Sequence, residues 1–422
     1  MQNGRANEQW NEGMNRQRRE NEELFSLTPS FPRSFILSFF HSPAQSLHQK
    51  ITQPLKMNPD SKIYIAGHNG LVGSAILRTL KAKGYRNFVT RSFEDLDLRD
   101  AQAVKTFFEQ EKPEYVFLAA ARVGGIMANN TYRAEFIYDN LMIQNHVIHQ
   151  SYLSKVKKLL FLGSTCIYPR ECPQPMPEDA LLTAPLEYTN EPYAIAKIAG
   201  IKMCESYNLQ YGTDFLAVMP TNLYGPHDNF DLEKSHVLPA LIRKIHLGKC
   251  MEEGNWEAVK KDLRQRPLKE MAQEKDNLEN KKIITLLSAH GIVYNAQEVP
   301  SVTINLWGTG KPLREFLWVE DMAEACVFVM ESINFSQLSS QKEEIRNTHL
   351  NIGTGKEISI RELAEQIAHT IGFGGRLQFD TNKPDGTQRK LTNPSKINQL
   401  GWKHKVEINE GIQRVYDWYR NT

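Results

Sequence analysis

From Ser61 onward the chain alternates short continuous apolar runs with stretches of helical spacing. Lys62-Ile-Tyr-Ile-Ala66 is an apolar run that ends at a glycine, as expected of a strand buried on both faces. Leu71, Val72, Ala75, Ile76, Leu77 and Leu80 follow at helical spacing, and Gly84 closes that helix. The same reading predicts a strand over 88–90, a helix over 101–111, a strand over 115–119 and a long helix over 134–154. A strand over 159–162, a helix over 193–211 and a strand over 215–219 complete the series. This alternation argues for an α/β protein with a parallel, doubly wound sheet covered by helices on both faces.

Beyond about Pro226 the alternation lapses. Half of residues 249–282 are charged, and helical spacing survives only in patches. Residues 249–300 therefore read as a helical insertion on the surface, most simply a solvated decoration, alternatively a lid or partner-binding element. A strand over 303–307, a helix over 320–330, a strand over 349–352, a helix over 360–371 and a last helix from Asn409 follow. We expect a first domain over 57–230, rejoined by segments 313–330 and 348–355, and a smaller α/β domain over 231–422. Residues 1–56 show no sustained period and carry one short apolar run, Phe35–Phe40. The expectation is that translation starts at Met57; a disordered tail or an unrecognised targeting segment are the alternatives.

A length of 422 residues allows two or three domains. Basic and acidic side chains, 51 against 49, nearly cancel, which gives no support to binding a nucleic acid. No apolar run approaches the roughly 18–20 residues of a membrane span. The five cysteines form no CxxC pair and no metal-ligand spacing, so neither a disulfide scaffold nor a metal site is expected. These features suit a cytoplasmic enzyme.

The candidate chemistry begins at Gly67-His68-Asn69-Gly70-Leu71-Val72-Gly73, between the first strand and the first helix. Glycines there permit a sharp turn and let backbone amides approach a diphosphate at the helix N-terminus. After the second strand, where an acidic residue would hold the ribose 2′-hydroxyl of NAD, this chain has Arg91, which suits the 2′-phosphate of NADP. Tyr193 and Lys197, four apart, share one helix face. An ammonium beside a phenol would lower its pKa. Ser164 follows the strand 159–162, at the carboxyl edge where open α/β sheets bind ligands, and could polarise a carbonyl oxygen.

The glycine turn with Ser164, Tyr193 and Lys197 resembles the extended short-chain dehydrogenase/reductase family. Longer stretches resemble the GDP-L-fucose synthase family within it: Ala120–Ile126, Asn129–Thr131, Gly163–Pro169, Asn190–Gly200, Met219–Asn229, Arg314–Leu317 and Lys383–Gly386. The resemblance covers about 62–248 and 303–420. It implies a bifunctional enzyme that epimerises GDP-4-keto-6-deoxy-D-mannose at C3 and C5 and then reduces C4 with NADPH. It implies that Cys166 and His236 form the acid/base pair of epimerisation, and that Tyr193, Lys197 and Ser164 serve the reduction. Leu162, Gly163, Pro220, Thr221, Asn222 and Leu223 match further cofactor positions. His236, Lys244, Trp307, Arg314 and Asp380 match substrate positions, although for Trp307 a core aromatic remains the alternative. Asn69 stands where some relatives carry an arginine, which leaves more of the 2′-phosphate to Arg91. The family's long helices commonly pair in a homodimer. The rival readings are a nucleotide-sugar 4-epimerase or 4,6-dehydratase with bound NAD, and a non-enzymatic dinucleotide-binding protein. The dehydratase pattern places an Asp-Glu pair where this chain has Cys166 and Ile167.

Overall fold

The computed structural model describes residues 57–271, 279–299, 301–340 and 343–422. The expectations for residues 1–56 lie outside the described residues. Six parallel strands, β1 (Ile63–Ala66), β2 (Phe88–Val89), β3 (Tyr115–Leu118), β4 (Lys158–Leu162), β5 (Phe215–Pro220) and β6 (Leu350–Ile352), pair in the order β6-β5-β4-β3-β1-β2. The apolar runs of β1, β3, β4 and β5 are buried along their length, apart from Pro220, because helices cover both faces of the sheet. The strand order reverses between β1 and β3, so a crevice opens at the carboxyl ends of these two strands.

Helices α1 (Leu71–Ala82), α2 (Ala101–Glu111), α3 (Arg133–Leu153) and α4 (Glu191–Tyr211) connect the strands. Asp100 starts α2 by accepting hydrogen bonds from the amides of Gln102 and Ala103. Gly212 ends α4 at a φ of 67°. Helix α5 (Val237–Glu252) leaves the sheet, and α6 (Val319–Ser332) returns to pack on α1. Lys158, buried in β4, donates to the carbonyls of Val329, Met330 and Ile333 and so satisfies the end of α6.

A separate core lies under the C-terminal half. There Val302–Trp307 pairs parallel with Arg376–Asp380 and antiparallel with Ile292–Tyr294. Helices α5, Ile360–Ile371 and Ile408–Asn421 pack against this sheet and one another. The insertion belongs to this core and is not a solvated decoration. Val259, Leu263, Ile283, Leu287 and Ile292 are fully buried in it. Arg243 of α5, 1% exposed, donates to Asp262 at 2.9 Å, and Asp262 also accepts from Arg266 and from the hydroxyl of Tyr419. The charges of this segment outline the insertion's outer face, while a few apolar residues and one buried ion pair fix its inner face.

Candidate active site

At the carboxyl ends of β1, β3, β4 and β5 lies a cleft of about 760 Å³. Gly67 to Gly73 form one wall. Gly67 has a φ of 84°, and a Cβ there would stand 2.7 Å from the Ala120 amide nitrogen. A Cβ on Gly73 would stand 2.1 Å from the Gly67 carbonyl oxygen, so this glycine lets α1 start against the turn. Gly70 differs: its Cβ would meet only the Gly67 carbonyl, at 3.4 Å. The first turn of α1 has no acidic residue and no side-chain cap. Its amides therefore suit an anion. The buried His68 Nδ1 has no hydrogen-bond partner. These features fit the diphosphate of a dinucleotide.

Arg91 lines the same cleft but is engaged, donating to Glu111 at 2.5 Å and to the Thr90 carbonyl at 2.8 Å. Ser92 and Arg99, which sequence reasoning did not single out, also line this end; Arg99 pairs with Asp97 and Asp139. Leu162, Gly163, Pro220, Thr221, Asn222 and Leu223 line the opposite end. There the Asn222 side chain donates to the Glu315 carbonyl at 2.8 Å.

Ser164, Tyr193, Lys197 and His236 face this cleft together. Lys197 is 3% exposed; its ammonium donates to the Leu162 carbonyl at 2.9 Å and lies 5.7 Å from the centre of the Tyr193 ring. Burial lowers Lys197 to about 8. The sequence suggests a phenol acidified by this ammonium; instead burial raises Tyr193 above the ordinary tyrosine value. In this site Tyr193 is a neutral phenol that keeps its proton. Ser164 caps a short 3-10 turn, Thr165–Ile167, and accepts from the Cys166 amide at 3.4 Å.

Cys166 faces a small recess that shares Thr165 with the main cleft. Burial raises its thiol, partly opposed by Ser164 and by the Lys390 and Lys197 ammoniums. His236, immediately before α5, is lowered by burial and rests as a neutral imidazole. The pair thus offers one proton donor and one proton acceptor.

The remaining residues expected to meet the substrate lie on the C-terminal half. Arg314 pairs in parallel register with Lys390, and Lys390 also lines the Cys166 recess. Burial lowers both cations; the Arg314 charge lowers Lys390 further, while Asp385 partly restores Arg314. Two desolvated cations on adjacent strands suit a diphosphate. The Arg314 guanidinium donates to the Thr387 carbonyl at 2.6 Å, and a Cβ on Gly386 would stand 3.1 Å from it. Asp385 accepts from the Thr309 amide and hydroxyl, both at 2.8 Å. Trp307 is 70% exposed, so it is not a core aromatic; the Lys383 ammonium lies 5.4 Å from its ring. Asp380 is the register partner of Trp307. Lys244, on α5, is lowered by burial and makes no hydrogen bond or ion pair among the described residues. Lys390 and Glu315 escaped sequence reasoning; the available signal was their place within the Arg314–Leu317 stretch and just after Lys383–Gly386.

Residues 63–266 and 275–353 match the NAD dependent epimerase/dehydratase family. The chain is 50% identical over 359 residues to GDP-L-fucose synthase 1 of Arabidopsis thaliana, covering 85% of this chain and 93% of that protein. It is 46% identical over 358 residues to GDP-L-fucose synthase of Escherichia coli strain K12, covering 85% of this chain and 96% of that one. Among solved structures, a GDP-mannoheptose C4 reductase from Campylobacter jejuni with NADP bound is 44% identical, with a TM-score of 0.75 over 86% of this chain and 99% of that one. The glycine turn, the Tyr193–Lys197 pair and these similarities lead to one conclusion: the chain belongs to the NAD dependent epimerase/dehydratase family, among its GDP-L-fucose synthases.

Proposed function

We propose that this chain converts GDP-4-keto-6-deoxy-D-mannose to GDP-L-fucose, epimerising C3 and C5 and then reducing C4. One observation carries the reading: Ser164, Tyr193, Lys197 and His236 share the cleft of the glycine turn, and Cys166 opens onto an adjoining recess.

The C4 ketone acidifies the hydrogens on C3 and C5, so side-chain groups suffice to exchange them. His236, neutral, takes a proton from one carbon on one face and Cys166, protonated, returns one on the other; the imidazolium and thiolate so formed exchange a proton with solvent, returning the pair to its starting state before the second carbon reacts. Bound NADPH supplies the hydride that reduces C4. Ser164 orients the C4 oxygen, and Tyr193 gives it a proton from Oη. Lys197 holds the ribose of the cofactor and supplies positive charge as that proton leaves. Gly67–Gly73 receive the diphosphate of NADPH, Arg91 its 2′-phosphate, and Leu162, Gly163 and Pro220–Leu223 its nicotinamide half. Arg314, Lys244 and Lys390 receive the diphosphate of the substrate, while Trp307 and Asp380 take the guanosine.

In this reading 57–230, with the segments that return to its sheet, is the cofactor domain and 231–422 the substrate domain. The work is cytoplasmic and carried out by a homodimer; none of the described helices is long and apolar enough to cross a membrane. The similarity to a GDP-mannoheptose C4 reductase favours a second reading, reduction of a related GDP-4-keto sugar bearing a larger C6 substituent. The test is to follow NADPH oxidation with GDP-4-keto-6-deoxymannose and identify the product. Stoichiometric oxidation to GDP-L-fucose is expected. Oxidation without inversion at C3 and C5 would favour the plain reductase, and no oxidation, with NAD retained by the protein, would overturn both.

A further inference from the structure

Glu315 has no exposed surface, and no Lys, Arg or His lies within ion-pair distance of it among the described residues. A buried carboxylate without a cation must be surrounded by donors. Its Oε1 accepts from the Thr354 amide at 2.6 Å, the Gly355 amide at 2.7 Å and the Thr354 hydroxyl at 3.3 Å. Its Oε2 accepts from the Thr392 amide at 2.8 Å and the Thr392 hydroxyl at 2.7 Å. Its backbone carbonyl accepts from the Asn222 side chain at 2.8 Å and the Thr221 hydroxyl at 3.4 Å. Gly353 keeps the place open: a Cβ there would stand 2.4 Å from Oε1 and 2.1 Å from the Thr392 hydroxyl.

One residue thus joins four segments, and three of them carry site residues. Asn222 lines the main cleft, Arg314 precedes Glu315 in the chain, and Lys390 stands two residues before Thr392 and faces the Cys166 recess. We infer that Glu315 is a positioning residue, holding the paired cations Arg314 and Lys390 in register with the cofactor loop at Thr221–Asn222. The inference rests on the proposed function and deepens it: hydride delivery and proton exchange must act on one sugar ring, so the groups that hold its diphosphate must keep a set distance from the cofactor. A carboxylate suits this place because both oxygens face N–H and O–H donors. An amide of the same shape would turn its NH2 against one of those sets, and one segment would come loose.

The experiment compares full-length wild type, Glu315→Gln, Thr392→Val and Thr392→Ser, each normalised to folded protein by circular dichroism. For Glu315→Gln, kcat should fall and KM for the sugar nucleotide rise, each about tenfold, while the dissociation constant of NADPH stays within about threefold. Thr392→Val, which removes one hydroxyl donor, should raise that KM about threefold, and Thr392→Ser should restore it. A fall in Tm with unchanged kcat and KM would make Glu315 a structural residue only and overturn the inference. If Glu315→Gln does not fold, unchanged kinetics in Thr392→Val overturn it. A wild type inert toward GDP-4-keto-6-deoxymannose overturns the proposed function itself, and this inference with it.

Discussion

At Tyr193 burial, reinforced by the nearby Cys166, holds the phenol above its ordinary value. A phenol held above its ordinary value gives up its proton only when charge develops on the C4 oxygen, which suits a donor. The same burial holds Lys197 to about 8. In the proposed reduction the ammonium supports the phenol as its proton leaves, so kcat/KM for reduction should fall as pH rises through about 8, read from the free enzyme's pH profile. His236 must be neutral to accept a proton, and burial lowers its pKa. Exchange at C3 and C5 should therefore persist as pH falls through the ordinary imidazole range and fail only below it. The two half-reactions should also separate by mutation. Tyr193→Phe should lose reduction by about 10²–10⁴-fold yet still incorporate solvent deuterium into the sugar, whereas His236→Gln should lose the incorporation. Mass spectrometry of sugar recovered from D2O reads both; a Tyr193→Phe enzyme that reduces at the wild-type rate would remove that tyrosine from the mechanism.

The elements behave differently according to what their glycines and charges touch. Gly70→Ala meets no protein atom closer than 3.4 Å, so the fold should stand while NADPH binding weakens by about tenfold, because the added methyl faces the diphosphate. Gly73→Ala drives a methyl to 2.1 Å from the Gly67 carbonyl and should lower Tm as well. Fluorescence titration of NADPH alongside a melting curve tells the two apart. Strands β1, β3, β4 and β5 of the parallel sheet were legible because each is an essentially apolar run that has no other place to go, whereas β6 carries the buried Asn351 at its centre. Helix Ile360–Ile371 was legible to the residue, since its apolar stripe begins at the Ser359 capping box and ends at Gly372. The insertion was not. Its buried positions are spread among 17 charged residues of 34 in 249–282, and its central contact is itself an ion pair, Arg243–Asp262, that reads as surface in a linear sequence. Lys390 and Arg314 lie on two-residue strands, too short to show any period, and their pairing exists only in the register. That buried pair also gives the insertion its weak point. Asp262→Ala would leave Arg243 charged, 1% exposed and without its carboxylate, at a cost of about 3–5 kcal/mol in urea unfolding.

For the whole molecule, helices α3 and α4 carry the argument about assembly. Their inner sides are satisfied: Val147, Ile148, Ile198 and Ile201 pack on the sheet, and Tyr152 stacks on Tyr211 with ring centres 4.3 Å apart. Their outer sides are not plainly polar. Tyr138 and Leu153 on α3, and Ile195 and Leu209 on α4, are all exposed. In the proposed homodimer these exposed side chains on two adjacent helices would form the contact surface. A second copy of the same pair would bury them by an isologous contact. The consequence reaches the site, because Ile195 lies in the same helical turn as Tyr193 and Lys197. A helix clamped from outside by a partner holds those two residues more firmly than one facing water. Ile195→Glu combined with Leu209→Glu should therefore do two things. It should convert the proposed dimer into a monomer by analytical ultracentrifugation, since two buried like charges on each side of a twofold contact cannot be accommodated. It should also reduce kcat for C4 reduction more than it weakens NADPH binding, because the glycine turn stands on the other side of the sheet's switch point from α4. A double variant that sediments like the wild type would remove this face from the interface. A monomer with undiminished kcat would show that each subunit orders its own α4.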